Sequence, residues 1–280
     1  SPPHAGPIPV TGWLANARMY AVTPAVEHAW QQVVANVARE AEVELRYFPY
    51  PAPQPLEDLW NRPDLGCVLM CGYPIALRLA PVVPIAAPVP SMEWAEGRAV
   101  YRSDLIVRAD APFRTLEDTF GHRAAWTVRH SHSGFNAFRH HLLKYRSALR
   151  TRLYREMVPD LVTARAILDG VRDGRFDVGP LDAYWHWLIA RHAPELTAGI
   201  RVLESTAVAP MPAFVASAGA PEDTVLRLKS AFAAASRQPW FAQYQADLGL
   251  NGFAPVSQAD FSVTLERDAA AHAADYSTPA

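Results

Sequence analysis

AVYRSDLIVRAD (residues 99–110) and IRVLESTAVAPMPAFVAS (residues 200–217) are the two stretches that decide the fold. Both are long, mainly apolar and rich in β-branched residues, so we expect extended chain in each. The sequence between them has its own alternation of strand and helix patterns. A chain that leaves one α/β unit through the first stretch and returns through the second forms two lobes. The two stretches then act as hinge crossovers.

The chain before residue 99 also alternates strand and helix patterns, after a proline-rich lead at Ser1–Pro9. Thr23 is a suitable N-cap and Pro24 a suitable first residue for the first helix. The resulting β-α-β-α-β order implies a parallel sheet with helices on its faces, and ligands of such sheets bind beyond the carboxyl ends of the strands. We predict strands in ARMYAV (17–22), VELRYFPYP (43–51) and DLGCVLMCGYP (64–74), and helices in TPAVEHAWQQVVANVAREAEV (23–43) and LEDLWN (56–61).

The middle of the chain repeats this order. The predicted fold class is therefore α/β with two lobes, each a mostly parallel sheet flanked by helices. Lobe 1 is expected to comprise residues 1–107 plus 208–280, and lobe 2 is the insert 108–207. Within the insert we predict strands in RAAWTV (123–128) and FDVGPLD (176–182), and helices from Phe135 to about Leu149, in LVTARAILDGVRDG (161–174) and in AYWHWLIARHA (183–193); two further helices follow at Glu222–Ser236 and Gln258–Tyr276.

Composition limits the functional classes. Half of the 280 residues are hydrophobic and 19% are charged, which supports a packed core rather than disorder. The net charge of −2 gives no general attraction to nucleic acid. Residues 108–207 carry 15 of the Lys and Arg against 11 of the Asp and Glu, together with seven of the ten histidines. This mildly basic segment suits an anionic ligand, although scatter among surface charges explains it equally well.

Cys67 and Cys71 lie in one predicted strand, where their Cα atoms would be about 13 Å apart. That separation is too large for a disulfide, so we expect free, partly buried thiols. The apolar stretch from Val68 to Pro90 contains Arg78 and several prolines, which argues against a membrane-spanning helix. No signal peptide is present in the sequence, and one could have been removed before its first residue.

The stretch RHSHSGFNAFRHH (129–141) places Ser131, His132 and Ser133 between a strand that ends near Val128 and a helical pattern that begins around Gly134. Amide hydrogens at a helix start and the positive end of the helix dipole favour an anion there. Serine hydroxyls add donors, and Gly134 allows the backbone to approach a ligand closely. This interpretation predicts an oxyanion site. The alternative is that Ser131 or Ser133 is only the N-cap.

Catalytic and metal-binding interpretations have weaker support in this stretch. A nucleophile elbow requires Gly-x-Ser-x-Gly, which is missing, and the Ser and His residues here are adjacent in sequence rather than brought together by the fold. His140 and His141 point about 100° apart on a helix, whereas helical metal-binding pairs usually lie four residues apart. A site that used them with His130 and His132 is therefore less favoured than surface histidines. We predict no metal and no cofactor.

The sequence also resembles a known family. The segments CGYP (71–74), DLIVRADAPFRTLEDTFGHRAAWTVRHSHSGFNAFRHHL (104–142) and ILDGVRDGRFDVGPLDAYWHWLIARHAPELTAGIRVLESTAVAPMPAFV (167–215) are similar, in order, to substrate-binding proteins of phosphate, phosphite and phosphonate ABC transporters. The resemblance implies the two-lobed type II periplasmic-binding-protein fold. It is sharpest at Ser131–Gly134 with Asn136, which match the family's Ser-x-Ser-Gly turn. In members of that family, the start of the helix after this turn binds phosphonate or phosphate oxygens.

By position, the resemblance implies ligand contacts from Ser131, His132, Ser133, Gly134 and Asn136 in lobe 2. It adds Tyr73 and Tyr20 as aromatic residues of the first lobe, and Asp182 as the polar residue that contacts the rest of the ligand. From the residues alone, a helix cap and a ligand contact are equally good interpretations of Asp182. For Tyr73, a position that lines a cleft is favoured over one in the core. His132 stands where the family more often has Thr. Its imidazole would be a charged donor at pH values near or below its usual pKa of about 6.5.

These observations predict a binding protein rather than an enzyme. It would capture a small oxyanion between its lobes, deliver it to an ABC permease, act as a monomer and reside in the periplasm. Two alternatives remain: an enzyme of the same fold that acts on a small phosphorylated or anionic metabolite, and an orphan sensory binding module. The ion itself, whether phosphate, phosphite, a phosphonate or another oxyanion, is left open.

Overall fold

The computed structural model describes residues 12–280, and the predicted proline-rich lead Ser1–Pro9 lies outside the described residues. Its strands are β1 (Trp13–Asn16), β2 (Leu45–Tyr47), β3 (Leu65–Met70), β4 (Val82–Pro90), β5 (Val100–Tyr101), β6 (Ser103–Arg108), β7 (Arg123–Ala125), β8 (Glu156–Val158), β9 (Gly179–Asp182), β10 (Ile200–Ser205), β11 (Ala209–Pro210), β12 (Ala213–Ser217) and β13 (Leu250–Pro255). Its α-helices are α1 (Pro24–Ala41), α2 (Leu56–Trp60), α3 (Gly72–Ala76), α4 (Ala137–Leu142), α5 (Ala164–Arg172), α6 (Ala183–His192), α7 (Glu222–Ala234), α8 (Ala242–Leu248) and α9 (Ser262–Ala273).

The chain forms two compact units. Unit 1 comprises Ser1–Val100, of which residues 12–100 are described, and Pro210–Ser262. Unit 2 comprises Tyr101–Ala209 and Val263–Ala280. These boundaries correct the predicted division at residues 107 and 208. They also move the carboxyl-terminal segment from the first lobe to unit 2.

The carboxyl-terminal segment belongs to unit 2 because its side chains complete that unit's core. Tyr276 is 3% exposed and packs in the same hydrophobic cluster as Phe138, Leu142 and Tyr154. The backbone N–H of Leu153 donates to the carbonyl of Ala280 at 3.0 Å. An amphipathic pattern predicts that a helix buries one face, but it does not identify the core that receives that face.

Unit 1 contains a six-stranded sheet in the order β13-β4-β12-β3-β1-β2. Strand β1 pairs parallel with β2 and β3, as the β-α-β pattern predicts. Strand β12 is antiparallel to β3 and β4, and β13 is antiparallel to β4. The sheet is therefore mixed rather than mostly parallel, because β12 enters it from the returning crossover and not from a β-α-β connection.

Unit 2 contains smaller sheets. Strands β10, β6 and β9 form an antiparallel three-stranded sheet, and β7 pairs parallel with β8. A parallel bridge between Ala124 of β7 and Val178 connects β7 with the residue before β9. The short strands β5 and β11, which contain the unit boundaries, pair with one another.

Local signals in the first helix are confirmed, whereas the first strand is displaced. Thr23 caps α1 by accepting a hydrogen bond from the N–H of Val26 at 3.2 Å, and Pro24 is the first helical residue. The predicted strand ARMYAV (17–22) is wrong: the strand is β1, and Arg18–Tyr20 form a 3-10 helix. Oδ1 of Asn16 accepts from the N–H of Arg18 at 2.9 Å, a turn that ends the strand.

The elements around the histidine-rich stretch are shorter than predicted. Strand β7 ends at Ala125 rather than near Val128. The helix begins with a π-helical turn at His132–Asn136, continues as α4 and ends in a 3-10 turn at Leu143–Tyr145 rather than at Leu149. Apolar spacing marks the buried face of a helix, but the N-cap decides where the helix begins.

Cys67 and Cys71 are not joined by a disulfide, as predicted, and both are buried. Burial raises the pKa of the Cys67 thiol well above its usual value. Within residues 12–280, none of the helices is both long enough and apolar enough to span a membrane.

Candidate functional site

Three helical segments begin at one edge of unit 2. Strands β7, β8 and the start of β9 run parallel, so their carboxyl ends lie at the same edge. The segments that follow these strands lead into the π-helical turn His132–Asn136, α5 and α6. Each segment has a side-chain N-cap, supplied by Ser131, Thr163 and Asp182 respectively. The positive ends of three helix dipoles therefore meet at this edge.

Backbone hydrogen bonds join the loops at this edge. The N–H of Leu161 donates to the carbonyl of Trp126 at 3.3 Å, and that of Val162 donates to the carbonyl of Thr127 at 3.2 Å. Val162 has a φ of 72°, which is an unusual and strained conformation for a β-branched residue. The hydrogen bonds hold this strained loop beside the residues that precede the π-helical turn.

Ser131 caps the π-helical turn. Its Oγ accepts a hydrogen bond from the N–H of Gly134 at 2.9 Å, and its carbonyl accepts from the N–H of Asn136 at 3.0 Å. The N-cap alternative for Ser131 is therefore what the structure shows. The first N–H groups of a helix have no carbonyl acceptor within it and bind other partners. Ser133 belongs to that turn and is partly exposed.

Gly134 is required by its contact with Thr127. It is buried, and a Cβ atom at this position would lie 2.0 Å from Thr127 Oγ1. Its carbonyl accepts a hydrogen bond from the N–H of Thr127 at 3.1 Å. The close approach fixes the first helical turn against the segment that follows β7.

His132 is neutral in the folded protein. The residue is 2% exposed, and burial lowers the pKa of its imidazole to about 3, with further lowering by the positive charges of Arg267, His140 and Arg139. The predicted charged donor near or below pH 6.5 is therefore wrong. A neutral imidazole still donates through one of its nitrogens.

Asn136 determines which nitrogen of His132 carries that hydrogen. Oδ1 of Asn136 accepts from Nη2 of Arg139 at 2.7 Å, and Nδ2 donates to the carbonyl of Thr264 at 2.9 Å. Because guanidinium only donates and a carbonyl only accepts, the amide orientation is fixed. Nδ2 then donates to Nδ1 of His132, 3.1 Å away, so the imidazole hydrogen is on Nε2.

The amide of Asn136 is an internal connector. The residue is fully buried, and its oxygen and nitrogen are used by Arg139, Thr264 and His132. Arg139, 2% exposed, also forms an ion pair with Asp268 of α9. Asn136, which was predicted to contact the ligand, therefore lies behind the edge rather than on it.

Asp182 caps α6, one of its two predicted roles. Its Oδ1 accepts from the N–H groups of Tyr184 at 2.9 Å and Trp185 at 3.1 Å. Asp182 pairs in register with Ser103, whose Oγ donates to the carbonyl of Ser133 at 2.7 Å. Ser103 thus connects the end of β9 with the first turn after Ser131.

The predicted residues of unit 1, Tyr20 and Tyr73, lie beyond the carboxyl ends of neighbouring parallel strands. Tyr20 follows β1 and Tyr73 follows β3. Both are nearly buried, with exposed fractions of 1% and 5%. The carbonyl of Tyr20 accepts from Nε1 of Trp30 at 3.2 Å.

A model of the family "ABC transporter, phosphonate, periplasmic substrate-binding protein" matches residues 21–261. The chain belongs to this family. The family is the substrate-binding component of ABC importers, so the predictions of a binding protein, of the family and of its two-lobed α/β fold class are confirmed. The match implies a periplasmic protein that acts with a permease. None of the curated protein sequences matched the chain.

Solved structures show the same fold at low sequence identity. A binding protein component of a phosphonate ABC transporter from Pseudomonas aeruginosa has a TM-score of 0.78 and 13% identity, over 94% of this chain and 88% of that one. PhnD1 from Prochlorococcus marinus, solved with methylphosphonate, has a TM-score of 0.76 and 15% identity, over 94% and 98%. A Xanthomonas citri protein bound to ATP has a TM-score of 0.65 and 17% identity, over 95% and 98%.

Sequence reasoning about this family member missed three residues that shape its first helical turn. Ser103 and Thr127 contact the turn from other segments, and Arg139 orients Asn136 from within α4. Only the spacing of three residues between Asn136 and Arg139 was visible in the sequence, since side chains at that spacing are neighbours on a helix. Among residues 12–280, no cluster of three or more His, Cys, Asp or Glu is arranged to hold a metal ion.

Proposed function

We propose that the chain binds a small tetrahedral oxyanion of the phosphonate, phosphate or phosphite type at the edge of unit 2 where three helical segments begin. The observation that carries this proposal is the convergence of the π-helical turn, α5 and α6 at the carboxyl ends of parallel β7, β8 and β9. Uncapped first-turn amides and dipole ends at such an edge stabilise negative oxygen atoms; at α6 the first amides are already bound by the carboxylate of Asp182.

The donors for this anion are neutral groups. First-turn amides after Ser131, the hydroxyl of Ser133 and the Nε2–H of His132 supply hydrogen bonds without a buried positive charge. Recognition of this kind avoids the cost of an unpaired buried cation in the ligand-free protein. In this proposal Ser131, Gly134 and Asn136 shape the turn.

Three of the predicted contacts remain proposals for the rest of the ligand. Asp182 borders the turn through Ser103 and would accept hydrogen bonds from a ligand donor. Tyr20 and Tyr73 would contribute from unit 1. The methylphosphonate found with PhnD1 supports a phosphonate as the first ligand to test.

The wider role follows from the family. We propose that this protein is a periplasmic monomer that delivers its ligand to an ABC permease and does not bind nucleic acid. The ligand would shift the protein toward the ligand-bound conformation only to the extent that it binds this conformation more tightly than the ligand-free one.

A thermal-shift screen tests the ligand class. Methylphosphonate, phosphate, phosphite and sulfate are added to the wild type, to Ser133→Ala and to Ser230→Ala, a matched change on the exposed surface of α7. A bound ligand at a hundredfold excess over its Kd should stabilise the fold by about 2.7 kcal/mol. Loss of the Ser133 hydroxyl should weaken binding about tenfold, since one hydrogen bond to a charged group contributes about 1.5 kcal/mol.

The control variant Ser230→Ala should bind like the wild type. If none of the four oxyanions stabilises the wild type, the proposed ligand class is wrong. If Ser133→Ala binds as tightly as Ser230→Ala, the ligand class survives but its placement at this turn does not.

A further inference from the structure

A cavity lies along the carboxyl-terminal half of α4, within unit 2. Its volume is about 310 Å³, and its lining includes His140 of α4, Lys144 of the 3-10 turn that follows α4, and Arg267 of α9. His140 follows His132 by eight residues, roughly 12 Å along a helix. The cavity therefore extends away from the edge at which the helices begin, and its lining starts at Ala137, directly after the π-helical turn.

The charged lining of this cavity is entirely basic. Lys144, Arg267 and the two histidines, His140 and His141, face it, and no acidic residue lines it. Nη2 of Arg267 donates to the carbonyl of Val208 at 2.7 Å, which uses one of the five guanidinium N–H groups. Within residues 12–280, Lys144 and the imidazole of His140 have neither a hydrogen-bond nor an ion-pair partner.

Carboxylates beside the cavity are engaged by other groups. Asp104 accepts hydrogen bonds from Ser205 Oγ and from Nδ1 of His186, both at 2.8 Å. Glu204 accepts hydrogen bonds from Nε2 of His141 at 2.7 Å and from the hydroxyl of Tyr145. Burial alone would raise the pKa of Glu204, but these two hydrogen bonds outweigh it and lower that pKa. Asp268 is paired with Arg139. These acids do not line the cavity, and Glu204 and Glu266 interact electrostatically with Lys144 and Arg267, respectively, from outside it.

The electrostatic potential at the imidazole of His140 is positive. Burial lowers its pKa, and the charges of Arg267, His141, Arg139 and Lys144 lower it further. The charges of Arg267 and Lys144 therefore act on the same imidazole, and an anion beside it would be attracted to both.

We propose that this cavity is a second binding site, which takes the phosphate or carboxylate group of a small organic anion between Lys144, His140 and Arg267. The hydroxyls of Ser205 and Thr206 also line it. Ser205 Oγ donates to Asp104 at 2.8 Å, and Thr206 Oγ1 accepts from the N–H of Ser103 at 2.9 Å, so both are held in fixed orientations. Because Asp104 takes the hydrogen of Ser205, the anion group is met by Lys144 and His140, by Arg267, and by the hydroxyl of Thr206, whose hydrogen is left to donate.

The size of the cavity and its apolar surfaces favour an organic anion over an inorganic ion. Leu143 and Ala207 contribute apolar surface to the lining, and a volume of about 310 Å³ lies within the range of small-molecule sites. A bare phosphate would leave that apolar surface uncovered. A phosphate or carboxylate carried on a small apolar group would cover it.

NMR spectroscopy of the full chain tests this proposal. Phenyl phosphate and benzoate are titrated into the protein with methylphosphonate present in excess, so that the edge near Ser133 is occupied. The amide signals of His140, Lys144 and Ala207 should shift saturably with at least one of the two probes. Benzyl alcohol, which has the ring without the charge, should leave them unchanged.

Charge removal gives the second arm of the test. Lys144→Gln combined with Arg267→Gln should weaken probe binding at least tenfold, and Arg267→Lys should retain most of it. The matched control, Lys229→Gln combined with Arg237→Gln in unit 1, should bind like the wild type. Lys144 is exposed, so Lys144→Gln alone tests the site without risk to the fold and should weaken binding several-fold.

The proposal is overturned if neither anion shifts the cavity signals of the wild type. It is also overturned if benzyl alcohol shifts them as strongly as the anions, or if the unit 1 control loses as much affinity as the cavity variant. Binding of methylphosphonate is followed by the amide signals near Ser133. A lack of binding there would contradict the proposed function without affecting the test of the cavity.

Discussion

Nδ2 of Asn136 donates a hydrogen bond to Nδ1 of His132 across 3.1 Å. This contact joins a buried amide to the imidazole of the first helical turn, and its direction is set by Arg139 and Thr264 on the other side of Asn136. The side chain of His132 therefore presents a donor at Nε2. A ligand oxygen that reached this nitrogen would be bound by a neutral N–H group.

Asn136→Asp should reverse the tautomer of His132. A carboxylate in place of the amide has no hydrogen to donate, so Nδ1 of His132 becomes the donor and Nε2 loses its hydrogen. Two oxygens would also face each other at Thr264, at a cost of about 2 kcal/mol in the free energy of unfolding. Side-chain ¹⁵N chemical shifts of His132 and urea unfolding measure the two effects.

Asn36→Asp is the matched control. Asn36 accepts from Arg39 at 2.6 Å in the same i, i+3 arrangement, but on the exposed side of α1. This variant should leave the His132 tautomer unchanged and alter stability by less than about 0.5 kcal/mol. A hydrogen on Nδ1 of His132 in the wild-type protein would contradict the proposed orientation of Asn136.

Burial of neutral His132 should make stability depend on pH. Its pKa falls from 6.5 to about 3 on folding, so below pH 6.5 the unfolded chain binds a proton that the folded chain does not. The stabilising contribution is complete above pH 6.5 and declines as the pH falls toward 3, by up to about 1.4 kcal/mol per pH unit. Unfolding free energies at several pH values measure this slope.

The pH experiment compares the wild type with His132→Gln, because burial also lowers the pKa values of His140 and His141. The wild type should lose more stability than His132→Gln between pH 6.5 and 5, whereas the contributions of the other two histidines cancel in the difference. A stability difference that stays constant over this range would show that His132 titrates normally in the folded protein.

The strands and helices of the chain were largely predictable because their signals are local. Thr23 and Pro24 mark the start of α1. Asp182 precedes α6, and its side chain caps that helix. The displaced elements are those decided by single hydrogen bonds. Asn16 ends β1 before ARMYAV, and Ser131 starts the π-helical turn before the apolar spacing becomes visible.

The candidate site was predictable only on the side of the chain that carries the motif. Ser131 and Ser133 were located by the strand-to-helix pattern, which is a local signal. Ser103 and Thr264 lie about 30 and 130 residues from the motif, so only the folded chain brings them into contact with it. The placement of α9 in unit 2 also depends on contacts between distant parts of the sequence, since an amphipathic pattern does not specify which core the helix packs against.

Gly134→Ala should destabilise unit 2 through one steric contact. The added methyl group would lie 2.0 Å from Thr127 Oγ1 and 2.9 Å from its Cβ, so the turn or the preceding segment has to move. Overpacking of this kind costs about 1–3 kcal/mol in the free energy of unfolding. Chemical denaturation followed by circular dichroism measures the loss.

Gly219→Ala provides the control, because a Cβ atom at Gly219 meets nothing within 4 Å. Its effect should stay within about 0.5 kcal/mol. Thr127→Ala removes the nearest atom, so the double variant should recover part of the stability lost in Gly134→Ala. Additive losses in the double variant would show that the two residues do not interact.

Asp268→Ala should loosen the carboxyl-terminal helix from α4. Arg139 is 2% exposed and pairs with Asp268. Removal of the carboxylate leaves a buried cation whose remaining acceptors, among residues 12–280, are Asn136 and the Ser277 carbonyl. We expect a loss of about 2 kcal/mol and faster hydrogen exchange in α9 and α4. Asp223→Ala breaks an ion pair whose carboxylate is 79% exposed, and it should cost less than about 1 kcal/mol without a change in α9. Equal losses in the two variants would mean that the ion pair of Arg139 with Asp268 holds α9 no more firmly than a surface pair does.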